Sequence, residues 1–118
     1  MKTFREIVIN EVKEIKTDIK QDGKVVGYIK IDKEDNIIRI ADIEMTKSGT
    51  GLGTEAIRNI MKQADKDKNI VALTSDAMRG KANQKKNRTL YTKLGFTKNT
   101  GKNKLKEVKY EEFYYIGK

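Results

Sequence analysis

Three glycines, Gly49, Gly51 and Gly53, alternate through the run Ser48-Gly49-Thr50-Gly51-Leu52-Gly53-Thr54. Glycine lets a chain turn tightly and lets backbone N–H groups come close to a ligand. The apolar residues that follow have helical spacing, so the run opens a helix, and a helix start attracts anions. Thr54 adds a hydroxyl in the first turn. Just upstream, Asp42 and Glu44 lie two apart in an extended stretch, which places both carboxylates on one face. Such a pair can relieve a nucleophile of its proton, although carboxylates on the solvent side of a strand are common. Further on, Tyr91 is the aromatic of Leu90-Tyr91-Thr92-Lys93-Leu94-Gly95-Phe96. A phenol with an ordinary pKa of about 10 is protonated at neutral pH and can donate. An aromatic side chain at a helix end can equally be a packing anchor.

The absences narrow the chemistry. The 118 residues include no Cys and no His. That excludes a disulfide framework, Cys/His zinc sites, a Cys nucleophile and a His base. An enzyme made of this chain must use carboxylates, Tyr, Lys, Ser/Thr or backbone dipoles, and suits a substrate that brings its own nucleophile. No strong metal-ligand cluster stands out. The formal net charge is +9, and the excess is uneven. From Arg79 through Lys85, Lys86, Arg88, Lys93 and Lys98 to Lys109, Glu107 is the only acid. Such a stretch draws in nucleic acid, an acidic protein or a polyphosphate, or is simply a solvated face. No apolar run reaches the roughly 18 residues of a membrane span, and Met1 to Arg5 does not lead into a secretory signal. The expectation is one domain over residues 1–118, in the cytoplasm, with no membrane partner.

These residues need elements to position them. Phe4 to Ile15 reads as a short amphipathic helix or as a strand. Ile15, Thr17 and Ile19 alternate with charges, as in a strand. Gln21-Asp22-Gly23 is a hairpin turn. Val25, Gly27, Ile29 and Ile31 alternate on one face of a second strand. Lys33 to Asn36 is another turn, and a third strand runs from Ile37 to Met45. That strand changes phase: Ile38 and Ile40 share one parity, while Ala41, Ile43 and Met45 share the other. Either a β-bulge or burial on both faces accounts for this. After the glycine turn, Leu52, Ala56, Ile57, Ile60, Met61 and Ala64 mark one helical face. Ile70 to Leu73 suits a buried parallel strand, which makes a βαβ crossover. A helix from about Ala82 to Leu94 ends at Gly95. Phe96 starts another strand, and Lys106 to Ile116 reads as the last. The sum is an α/β chain (α+β in arrangement) with a mixed, mostly antiparallel sheet and one parallel crossover.

The glycines alone admit several readings. A P-loop needs Gly-Lys-Ser/Thr, and here Gly53 is followed by Thr54-Glu55. A dinucleotide turn counted from Gly51 and Gly53 finds Ala56 at its third position. That turn normally follows an early strand in repeating βαβ units, and only one crossover is visible here. A glycine-rich loop with no ligand is the remaining alternative.

Together with Leu90-Tyr91-x-x-Leu94-Gly95-Phe96, the glycine run resembles the GNAT family of N-acetyltransferases. Its motif Gln/Arg-x-x-Gly-x-Gly/Ala falls on Gly51 and Gly53, with Ser48 at the usual basic position. The resemblance spans Ile37 to Phe96. It implies the acyl-CoA N-acyltransferase fold and acetyl-CoA as co-substrate, with no metal. It implies cofactor contacts along Ile43 and Met45, at Ser48, Gly49, Thr50, Gly51, Leu52, Gly53 and Thr54, and at Asn83 and Tyr91. The family's asparagine position itself falls on Gln84, with Asn83 and Asn87 as its neighbours. It implies direct acetyl transfer to an amine, with Glu44 and then Asp42 as candidate bases and Tyr91 as donor to the departing thiolate. A backbone N–H at a bulge would hold the thioester carbonyl. The acceptor is a small molecule or protein amine, and family members are often monomers or homodimers. Two alternatives remain from the residues: a nucleic-acid-binding module, with Tyr91, Phe96 and Tyr110 among the lysines, and a CoA-binding protein without turnover.

Overall fold

The computed structural model describes residues 13–46, 51–78 and 84–118. Asp22 and Gly23 both have positive φ, 53° and 80°, the backbone of a two-residue hairpin turn whose twist matches its strands. It joins β1 (Lys13–Gln21) to β2 (Lys24–Glu34) in an antiparallel pair. Asp35, with φ 54°, turns β2 into β3 (Ile37–Met45), again antiparallel. Helix α1 (Leu52–Asp67) crosses over to β4 (Ile70–Leu73), which pairs parallel with β3. Helix α2 (Gln84–Leu94), the two-residue β5 (Thr97–Lys98) and β6 (Phe113–Ile116) complete the order. One six-stranded sheet results, in the order β1-β2-β3-β4-β6-β5.

The phase change in β3 has a double cause. Lys30 pairs with Asp42 but Ile31 pairs with Ile40, so Ala41 is an extra, bulged residue. Ala41 is exposed, and Ile40 and Ile43 on either side of it enter the same core. Ile37 is buried as well, in a second core on the opposite face with Ile70, Ala72, Val108 and Tyr114. Bulge and two-sided burial therefore coexist. A second bulge corrects one expectation about β2. Ile19 pairs with Gly27 and Lys20 with Val25, so Val26 is inserted and Val25 turns outward, 54% exposed.

Helix α1 buries Ile57, Met61 and Ala64 against β3 and β4, the face its periodicity marks. Helix α2 delivers Tyr91 to the same core, ringed by Phe96 and Phe113 at centroid distances of 6.0 and 5.6 Å. It ends where the sequence places its end: Gly95 has φ 109° and the Phe96 N–H donates to the Tyr91 carbonyl at 3.0 Å. The last strand is shorter than Lys106 to Ile116. Residues 101–103 form a 3₁₀ turn and the chain is irregular to Glu112. The physical reason is the buried Asn99. Its amide donates to the Val108 and Glu111 carbonyls at 2.7 and 3.1 Å, and its oxygen accepts from the Leu105 N–H at 2.8 Å. Those backbone groups are satisfied inside the loop and are not free for a sheet ladder.

Candidate acyl-transfer site

The site lies where β3 outruns its parallel neighbour. The β3–β4 ladder pairs Ile37 to Ile40 with Ile70 to Leu73 and then stops, while β3 continues to Met45. The bulge at Ala41 bends β3 at the point where pairing ends, as bulges do. The gap is not empty. The Ile43 N–H donates to the Ala77 carbonyl at 2.7 Å, and Ile43 forms a lone parallel bridge with Met78. Ala77 and Met78 are buried there.

On the face of β3 opposite Ile43, Asp42 and Glu44 stand together, as their spacing requires. Tyr28 of β2, directly across from Glu44, donates its hydroxyl to Asp42 Oδ2 at 3.0 Å. That bond to Asp42, followed by loss of hydration and the proximity of Glu44, pushes the Tyr28 phenol up to about 12. Lys16 Nζ lies 4.4 Å from the Tyr28 ring centroid, so this ring already accepts a cation on its face.

The glycine turn adjoins the gap. Ser48, Gly49 and Thr50 lie outside the described residues. Gly51 caps α1 with φ 78°, a left-handed conformation that glycine adopts without strain, and among the described residues nothing stands within 4 Å of where a Cβ would point. Gly53 is glycine for another reason: a Cβ there would lie 2.6 Å from Met78 Cε. Leu52 and Thr54 are half-buried in the first turn, and Met45 is half-buried beside Gly53. Ile43, Met45 and Gly53 are thus brought together at the end of β3, with Gly51, Leu52 and Thr54 adjoining Gly53 along the chain.

Tyr91 shares the main core with Ile43 and Met78. It is fully buried against Phe96 and Phe113. Asn83 lies outside the described residues. The asparagine that does shape the site is Asn87, one helical turn before Tyr91 and 1% exposed. Its amide donates to the Ser75 carbonyl at 2.8 Å and to the Met78 carbonyl. Ser75, also buried, donates from its N–H and hydroxyl to Glu112 Oε1 at 3.1 and 2.5 Å. Arg88 Nε donates to Glu112 Oε2 at 3.3 Å. Burial alone would raise the Glu112 carboxyl, but the donors from Ser75 and Arg88 outweigh it and hold it below its ordinary range.

Sequence reasoning missed Tyr28 and Glu112, and named Asn87 only as a neighbour of the expected cofactor asparagine. Asn87 carried a signal: it shares the apolar phase of α2 with Tyr91 and Leu94, where a polar residue must find buried partners. Tyr28 and Glu112 gave none, because their partners come from other strands. Among the described residues no group of three or more acidic side chains could hold a metal.

No protein-family profile and no curated protein sequence matches the chain. Solved structures do resemble it. The ribosomal-protein-S18-alanine N-acetyltransferase from Escherichia coli superposes with a TM-score of 0.60 at 16% identity, over 95% of this chain and 72% of that one. The anti-CRISPR protein AcrVA5 gives 0.59 at 17% identity, over 89% of this chain and 98% of that one. PaiA N-acetyltransferase from Thermoplasma acidophilum, in complex with coenzyme A, gives 0.56 at 15% identity, over 97% of this chain and 67% of that one. The mixed six-stranded sheet with its parallel β3–α1–β4 crossover and these superpositions give this chain the GNAT acyltransferase fold.

Proposed function

We propose that the protein is an N-acetyltransferase that passes the acetyl group of acetyl-CoA directly to an amine. The observation that carries this reading is the end of β3, where the Asp42–Glu44 carboxylates share one face of a bulged strand and the Ile43 N–H points out along the edge that β4 leaves unpaired, beside the glycine turn. Acetyl-CoA supplies an activated thioester. The N–H groups about Gly51 hold its phosphates, and the Ile43 N–H is the donor placed for the thioester carbonyl once Ala77 is displaced from it. Glu44, or Asp42 beside it, takes the proton of the attacking amine, directly or through water. Tyr91, on the core side, donates to the departing sulfur. Tyr28 orients Asp42 and offers its ring to a cationic acceptor, as Lys16 uses it now. A cytoplasmic monomer or homodimer acting on a small-molecule or protein amine accompanies this reading.

The test is release of free thiol from acetyl-CoA across a panel of amines, with cofactor binding followed by calorimetry. Glu44→Gln is expected to lower turnover about 10²–10⁴-fold at unchanged CoA affinity, and Tyr91→Phe to lower turnover more than affinity. Absence of CoA binding would sink the reading. Tight binding with no transfer to any amine would leave a CoA-binding protein without turnover.

A second reading concerns a partner. Arg88, Thr89, Thr92 and Lys93 of α2, with Lys98 and Phe113, line a groove of about 370 Å³ at the β5 edge. Among the described residues Lys93 and Lys98 are in no ion pair. These two lysines suit contacts to phosphates, and Phe113 adds an aromatic to the lining. This favours nucleic acid as the partner. Binding to single-stranded RNA or DNA that is absent, or indifferent to salt, rejects it.

A further inference from the structure

We propose that Ser75–Met78 is a latch that fills the acyl slot of this protein, and that Asn87 is the positioning residue that holds it shut. The proposal rests on the acetyl-CoA reading of the gap beside β3.

Beyond Ile40 and Leu73 the parallel strands no longer pair, and the exposed edge of β3 would offer unpaired backbone groups. The chain caps that edge itself. The Ala77 carbonyl takes the Ile43 N–H at 2.7 Å, the very donor a thioester carbonyl would need, and Met78 completes the bridge. The side chain of Met78 reaches over Gly53, where there is room for it only because no Cβ stands there. Backbone and side chain of the latch thus occupy both the inner wall of the slot and the foot of α1.

The latch is held on two sides. Against β3, among the described residues, it is held by the Ile43 N–H bond to the Ala77 carbonyl, which belongs to the Ile43–Met78 bridge. Against α2 and the loop before β6 it is fixed at both ends. Asn87 donates to the carbonyls of Ser75 and Met78, the first and last latch residues. Glu112 accepts from Ser75 twice, and Arg88 steadies Glu112. A fully buried amide in a helix face shared with Tyr91 costs stability unless its donors are used. Here they are used on the latch. The latch therefore belongs mechanically to α2, and the closed state is set by Asn87. A ligand that needs the open state binds with an affinity reduced by the open fraction. Weakening the latch's hold should then tighten cofactor binding, the reverse of what removing a merely structural hydrogen bond would do.

The experiment measures CoA binding by calorimetry and amide exchange at Ile43 by NMR, for the wild type, Asn87→Ala and Ser75→Ala. Circular dichroism confirms that each variant is folded. Ser75→Ala, which leaves the core of α2 intact, covers the case in which Asn87→Ala does not fold. The expected result is a slow-exchanging Ile43 amide in the wild type, faster exchange in the variants with Val71 still protected, and CoA affinity raised about threefold to tenfold. Folded variants that bind CoA equally or more weakly overturn the latch, as does an Ile43 amide that exchanges in the wild type as fast as that of exposed Ala41. If neither wild type nor variants bind CoA, the acyl slot itself falls, and the proposal with it.

Discussion

Tyr28 illustrates how one hydrogen bond sets a group's chemistry. Its hydroxyl donates to Asp42 with Glu44 close by, so ionising it would put a third negative charge into the cluster. The folded-state value therefore rises, to about 12. The sign follows: this bond's contribution to folding is complete below the ordinary tyrosine range and is lost as pH rises through about 12. An alkaline titration followed by tyrosinate absorbance should show Tyr28 among the last of the five tyrosines to ionise. Tyr115, raised by its bond to Asp65, should be late as well. Asp42→Asn should bring the Tyr28 step back toward lower pH and leave the Tyr115 step where it was.

The bulge in β3 is the element on which the proposed site depends. Removing Ala41 leaves Ile38, Ile40, Ile43 and Met45 in strict alternation, with Asp42 and Glu44 still on the outer face. The core of β3 would keep its residues, but the strand would lose its bend beside the gap. Deletion of Ala41 is therefore expected to leave stability within about 1 kcal/mol of the wild type by urea unfolding, while acetyl transfer falls at least about tenfold. Loss of folding instead would show that the bulge serves packing. Helix α2 has a similar division of labour. Its inner face carries Tyr91 for the core and Asn87 for the Ser75–Met78 turn, and its outer face carries Lys85, Lys86, Arg88 and Lys93.

At the scale of the molecule, charge is separated from chemistry. The Asp42–Glu44 pair belongs to β3, in the middle of the sheet, while the basic groove lies at the β5 edge. Among large apolar side chains Tyr110, beside Lys109, is the most exposed at 87%, and it could stack on a base. Lys93→Glu with Lys98→Glu is expected to weaken single-strand binding at low salt. The slope of log affinity against log salt should fall by about 0.7 for each phosphate that is no longer neutralised. Glu44→Gln should leave that slope unchanged. No helix among the described residues is long and apolar enough to cross a membrane.

Local signals carried most of the architecture. Asp22-Gly23, the helical spacing after Gly53, Ile70 to Leu73 and the Gly95 stop are each legible because backbone conformation and burial period are properties of neighbouring residues. The same holds for the phase slip at Ala41 and for Asp42 and Glu44 sharing a face. The reading of Lys106 to Ile116 as one strand failed because Asn99, distant in sequence, claims that loop's backbone groups. What only the tertiary structure decided is who meets whom across the sheet: Tyr28 with Asp42, Ser75 with Glu112, and Ile43 with Ala77. Sequence alone pointed to the glycine turn and the end of β3 as the place for an acyl group. Only the packed chain showed that Ala77 and Met78 lie against Ile43 at the end of β3, because a hydrogen bond between strands depends on register and on where strands part, which no local pattern encodes.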